Sequence, residues 1–125
     1  MNRIFYLVLA VIAIFVSYRL IVAQTPPPPA RMADLILFWG DGCPHCQNVD
    51  KYIKQNERDL KISIDRREIY YNRTNQKEMA RLAQNCPEID TKQGIGVPFA
   101  WVVAENKCLQ GDTPIISWIG QKLLK

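Results

Sequence analysis

Two cysteines separated by two residues, Cys43 and Cys46 in the stretch "FWGDGCPHCQNV" (38–49), are the side chains of this sequence best suited to chemistry. Pro44 and His45, the only histidine, lie between them. Such a pair has three uses: metal ligation, a structural bridge, or cycling between dithiol and disulfide. A tetrahedral zinc site needs a second matching pair, whereas the other two cysteines, Cys86 and Cys108, stand singly. No metal is expected. A structural bridge from Cys43 to Cys46 closes so short a loop that it constrains the unfolded chain little. Redox cycling needs a sulfur whose ionised form is stabilised, because the thiolate is the nucleophile of disulfide exchange.

The neighbouring residues supply that stabilisation in principle. "DLILFW" (34–39) is a continuous apolar run and predicts a buried strand, with a turn at Gly40–Gly42. Pro44 suits the first position of a helix, and Val49, Tyr52 and Ile53 recur at helical spacing to about Asn56. Cys43 therefore directly precedes a helix, where unpaired backbone N–H groups and the positive end of the dipole favour an anion. His45, as an N–H donor or a cation, adds to that effect. Cys46 falls one turn on, on the same side of the helix, and is expected to be the more buried, resolving thiol. The catalytic assignments are Cys43 as nucleophile, Cys46 as resolving thiol and His45 as thiolate stabiliser. Trp39 is close enough in sequence to line the site.

The elements that must hold this pair follow along the chain. "KISIDRREI" (61–69) alternates and predicts a second strand. "NQKEMARLAQN" (75–85) predicts a helix capped by Thr74 or Asn72, burying Met79, Leu82 and Ala83. "GIGVPFAWVVA" (94–104) predicts a strand, "ENK" a turn and "CLQG" a short edge strand. "DTPIISWIGQKLLK" then predicts a C-terminal helix capped by Thr113, with Pro114 first in it and Ile115, Trp118, Ile119 and Leu123 on one face. Trp101 and Trp118 are expected in the core. The resulting order, β-α-β-α-β-β-α, argues an α/β fold with a mixed sheet and helices on both faces.

The chain of 125 residues divides into three regions on this reading: 1–24, 25–33 and 34–125. The first opens on Arg3 and continues with an apolar run from Ile4 to Ala23, interrupted at Ser17–Arg19. At about 1.5 Å per residue the run matches a hydrocarbon core of about 30 Å. An uncleaved membrane anchor is the favoured reading. A cleaved signal peptide is the competing one, with Ile21 a poor match to the small residue that cleavage after Ala23 prefers. Both place the remainder outside the cytoplasm, in a periplasm or at the cell surface, where thiols are readily oxidised. "TPPPPA" (25–30) is a semi-rigid polyproline spacer. The 16 Lys and Arg against 12 Asp and Glu give a net charge of +4, scattered along the chain, and no nucleic-acid partner is called for.

"FWGDGCPHC", the later "GVP" and "KCLQGD" resemble the thioredoxin superfamily, in the compact form shared by thioredoxins and glutaredoxins. The resemblance covers about 34–125. It implies a thioredoxin-like fold, a cis bond at Val97-Pro98, and a substrate backbone guided by Val97 and Pro98 beside Trp39. The Pro-His dipeptide is similar to that of disulfide-generating oxidases of the Dsb type, although this chain has no room for their helical insertion. Leu37 stands where thioredoxins bury an aspartate, and Gly42 replaces a usual aromatic.

In the resembled fold Cys86 and Cys108 could approach one another. A bridge between them would close a loop of about 22 residues, contribute on the order of 3 kcal/mol and clamp the enclosed Val97-Pro98 segment. Two free buried thiols and a second redox relay remain open beside that structural disulfide. The expectation is a membrane-tethered, extracytoplasmic thiol–disulfide oxidoreductase. Its partners would be cysteine-containing protein substrates and a redox partner protein, with no bound cofactor. Two rivals stay open: a glutaredoxin-like reductase using glutathione, and a non-catalytic thioredoxin-fold module that docks partners.

Overall fold

The computed structural model describes residues 2–24 and 32–123, except for the side chains at 4 and 20–24. The proline spacer at 25–30 lies outside the described residues. The chain falls into two units, Met1–Arg31 and Met32–Lys125, and each is treated by itself.

In the first unit, α1 (Asn2–Gln24) is one uninterrupted helix. Its described large apolar side chains, Phe5, Leu7, Ile14 and Val16 among them, are exposed, on every side of the helix. Arg19 reaches back one turn, its guanidinium carbon 5.1 Å from the Phe15 ring centre. Among the described residues no helix is long and apolar enough to cross a membrane. The expected membrane-spanning helix is not found among them.

The second unit is α/β, with a four-stranded mixed sheet of order β2-β1-β3-β4. Its elements are β1 (Leu35–Trp39), α2 (Pro44–Gln55), β2 (Ile64–Glu68), α3 (Arg73–Ala83), a 3-10 turn at Thr91–Gln93, β3 (Phe99–Val102), β4 (Lys107–Gln110) and α4 (Asp112–Leu123). β1 and β2 run parallel, Leu35 beside Ile64 and Trp39 beside Glu68. β3 is antiparallel to β1, and β4 to β3, with Trp101 opposite Cys108.

The period-two alternation of the central strands sorts the core into two layers. Leu35 and Leu37 of β1, Ala100 and Val102 of β3 and Leu109 of β4 face Val49 of α2 and Ile115, Trp118 and Ile119 of α4. Phe38, Phe99, Trp101 and Cys108 face the other way, onto Met79, Leu82 and Ala83 of α3 and Cys86 just after it. A strand buried on both faces has no polar alternation to display, which is why "LILFW" reads as a continuous apolar run.

Several boundaries differ from expectation: β2 spans 64–68 rather than 61–69, and α3 spans 73–83 rather than 75–85. β3 begins at Phe99 rather than at 94, since Gly94 takes a φ of 89° and Pro98 has no N–H to give a ladder. The Val97-Pro98 bond is cis. α4 begins at Asp112 rather than at Pro114. Asn72, one of the two caps foreseen for α3, accepts N–H bonds from Thr74 and Asn75, both at 3.1 Å.

Candidate functional site

The loop from Gly40 to Cys43 leaves β1 at its carboxyl end and turns straight into α2. Cys43 is the N-cap of that helix, with extended backbone (φ −75°, ψ 118°), and Pro44 is its first residue. A cap side chain that accepts an N–H satisfies one of the helix's unpaired donors. Here the acceptor is sulfur: Cys43 Sγ receives the Cys46 backbone N–H at 3.3 Å. The Cys46 thiol donates to the same sulfur, with the two Sγ atoms 2.6 Å apart, and neither cysteine is bonded. Both are buried, at 8 % and 7 % exposure, so exposure alone does not single out Cys46 as the hidden member.

Chemistry does separate them. Burial, reinforced by the hydrogen bond to Cys43, pushes the Cys46 thiol up to about 12. The Gly40 backbone opposes that rise by hydrogen bonding to Cys46, but less strongly. Cys46 is held as a proton-bearing thiol aimed at its neighbour. In the thiol form Cys43 donates to the Val97 carbonyl at 3.6 Å, which brings the cis-proline segment against the pair as expected.

A cavity of about 330 Å³ adjoins the pair. Trp39 and Pro98 line it, along with Leu37, Asp50, Lys54 and Arg66. Asp50 lies one turn beyond Cys46 on α2. Its Oδ2 is 2.7 Å from Lys54 Nζ, and its buried Oδ1 is 2.6 Å from Arg66 Nη2, as an ion pair without hydrogen-bond alignment. The hydrogen bond from Lys54, with Arg66 behind it, holds the Asp50 carboxyl below the usual range. Arg66 also lies over Trp39, 5.8 Å from the ring centre. The sequence reading left Asp50 and Arg66 out of the site. Asp50 stands four residues from both Cys46 and Lys54, a spacing that puts all three on one helix face.

His45 is placed differently from expectation. Its Nδ1 is 3.2 Å from Asp112 Oδ2, and its side chain is largely exposed. Asn48 donates to the same oxygen at 2.7 Å, and Asp112 Oδ1 accepts the Thr113 N–H at 3.0 Å. The bonds from Asn48 and then His45 hold the Asp112 carboxyl down at about 2. The ring expected on the Cys43 sulfur instead braces the start of α2 against the start of α4.

Cys86 and Cys108 lie at bonding distance, their Cα atoms 6.0 Å apart and both side chains within the α3 core layer. Among the described residues no three His, Cys, Asp or Glu side chains gather as a metal ion would require. Comparison with family models, with curated proteins and with solved structures finds no match for this chain.

Proposed function

We propose that this chain is a thiol–disulfide oxidoreductase of thioredoxin-like fold, exchanging disulfides with cysteine-containing proteins through Cys43 and Cys46. The observation that carries the reading is the pair of cysteines at a helix start, their sulfurs against one another and Cys43 Sγ receiving the Cys46 N–H. The mixed sheet, with its parallel β1–β2 unit, antiparallel hairpin and helices on both faces, supports the fold assignment.

In the reducing direction the Cys43 thiolate attacks one sulfur of a substrate disulfide. That bond breaks, the first substrate thiol leaves, and Cys43 is joined to the second substrate sulfur. Cys46 then loses its proton to solvent and attacks Cys43. The mixed disulfide breaks, the second substrate thiol leaves, and the Cys43–Cys46 disulfide holds the oxidising equivalent. Run backwards, the same steps donate a disulfide. The Val97 carbonyl and Trp39 flank the sulfur that the substrate must reach.

The glutathione-using alternative calls for a cationic or polar pocket around Gly96–Pro98 and Gly111–Asp112, and Lys54 and Arg66 do line the cavity together with Pro98. The Asp112 carboxylate is already engaged by Asn48, His45 and the Thr113 N–H, which favours protein substrates. The apolar run at 4–23 and the exposed apolar surface of α1 support membrane attachment outside the cytoplasm as part of the proposal.

The test is insulin reduction and, separately, oxidation of a reduced peptide, with Cys43→Ser as control. Turnover lost in Cys43→Ser supports the enzyme. Absence of turnover by the unmodified protein in both directions defeats it. The reduction potential of the pair then assigns direction.

A further inference from the structure

Gly40 is buried and has no left-handed backbone, so conformational freedom does not explain a glycine there. Space does. A Cβ built at Gly40 would come within 2.5 Å of three carbons of the Tyr70 ring, closer than real Cβ atoms approach. The carbonyl of the same residue accepts the Cys43 N–H at 3.3 Å. The ring therefore sits on the backbone unit that ties down the start of the cysteine loop.

Tyr70 is itself held in a built turn after β2. Both oxygens of Glu68 accept backbone N–H groups, from Tyr70 and, at 3.0 Å, from Tyr71. Asn75 donates to the Glu68 carbonyl at 2.8 Å, and Gln76 donates to the Ile69 carbonyl. The Ile69 N–H bonds the Trp39 carbonyl at 2.9 Å, tying the turn to the residue before Gly40. These ties use side chains from β2 and α3 and hold the Tyr70 backbone, while its side chain packs on Gly40 and stays 48 % exposed. Desolvation, then the charges of Cys43 and Cys46, raise the Tyr70 phenol above its ordinary value, in keeping with a ring close to the pair.

We propose that Tyr70 is a positioning residue for the Cys43/Cys46 pair, its ring taking the place of a side chain at Gly40 and so fixing the backbone that aligns Cys46 with Cys43. This deepens the proposed oxidoreductase reading and rests on it for its biological meaning. Its physical content can be tested without any protein substrate.

The probe is the aromatic disulfide dithionitrobenzoate, added to protein whose Cys43/Cys46 pair is reduced. Attack by Cys43 releases one aryl thiolate and leaves a mixed disulfide. Attack by Cys46 releases the second and closes the ring. Tyr70→Ala is expected to slow the second release about tenfold, the scale of a lost alignment, and to leave the first nearly unchanged. Tyr70→Phe is expected to keep both rates, because the ring and not the hydroxyl fills the space. Gly40→Ala should slow the second release more than Tyr70→Ala does. The double variant should be faster than Gly40→Ala alone, since the methyl then enters the vacated space. Circular dichroism establishes that each variant is folded. An unchanged second release in folded Tyr70→Ala overturns the proposal, and so does a Tyr70→Phe variant as slow as Tyr70→Ala. A protein that passes this test yet turns over no insulin or peptide retains the positioning role and loses the oxidoreductase function.

Discussion

Two cysteine pairs in one small sheet have been put to different structural use. Both are buried, so burial does not decide between them. Cys43 and Cys46 sit at a loop-to-helix junction, and their sulfurs face backbone N–H and C=O groups. Cys86 and Cys108 join the end of α3 to β4 inside an apolar layer of Phe38, Phe99 and Trp101. A backbone N–H points at Cys43 Sγ in the first pair, whereas the apolar surroundings of the second would leave a new charge without a partner. Sequence separation points the same way. A bond across the first pair closes a tiny loop, and one across the second closes a loop of 22 residues. The first therefore restricts the unfolded chain little and the second restricts it strongly.

The largest effect that could break this contrast is on turnover. Cys43→Ser is expected to lower insulin reduction by at least about a thousandfold, because the nucleophile is gone. Cys86→Ser with Cys108→Ser should leave it within about threefold. A comparable loss in both would show that the second pair takes part in the chemistry. The next effect is on stability and has the opposite order. Urea titration of the Cys86→Ala, Cys108→Ala double variant should show a loss of about 3 kcal/mol. The Cys43→Ala, Cys46→Ala double variant should lose less than half of that.

Acid should distinguish the two surroundings. Asp112, which braces the start of α2, is held down to about 2 by Asn48 and His45. Because its folded value lies below the unfolded one, its contribution is complete above the ordinary carboxylate range near pH 4 and disappears as pH falls toward 2. Stability measured across that window should fall less steeply in Asp112→Asn than in the unmodified protein. Equal slopes would remove the clamp from the account. A modest effect is expected of His45→Ala, a decrease in turnover of no more than about fivefold, since its side chain is exposed and its partner is Asp112. A loss like that of Cys43→Ser would instead put the imidazole back on the sulfur during the reaction.

How far these features could be read in advance varies with the range of the interaction. The core strands and the helices were legible because apolar runs and periodicity are local signals. "LILFW" and the Val49, Tyr52, Ile53 spacing give β1 and α2 within a residue or two. The Cys43–Pro44 helix start was legible for the same reason. β3 was read too long because its apolar content continues through residues that cannot join a ladder. The partners of His45 and the role of Gly40 were not legible. One depends on Asp112, 67 positions away, and the other on Tyr70, a residue with no local mark of function. The Asp50–Lys54 spacing was visible, but Arg66 comes from another element and reads in sequence as one more surface charge.

The outer strand β2 carries "IDRRE" along a margin that has only β1 beside it. Arg66 leans to one face toward Asp50 of α2, while Arg67 leans to the other, over the Phe38 ring and onto Glu78 of α3. An incoming extended chain would have to lie alongside this fence of guanidinium and carboxylate groups and strip water from it. The margin is thereby made a poor template for strand addition, and self-association through the sheet is discouraged at this flank.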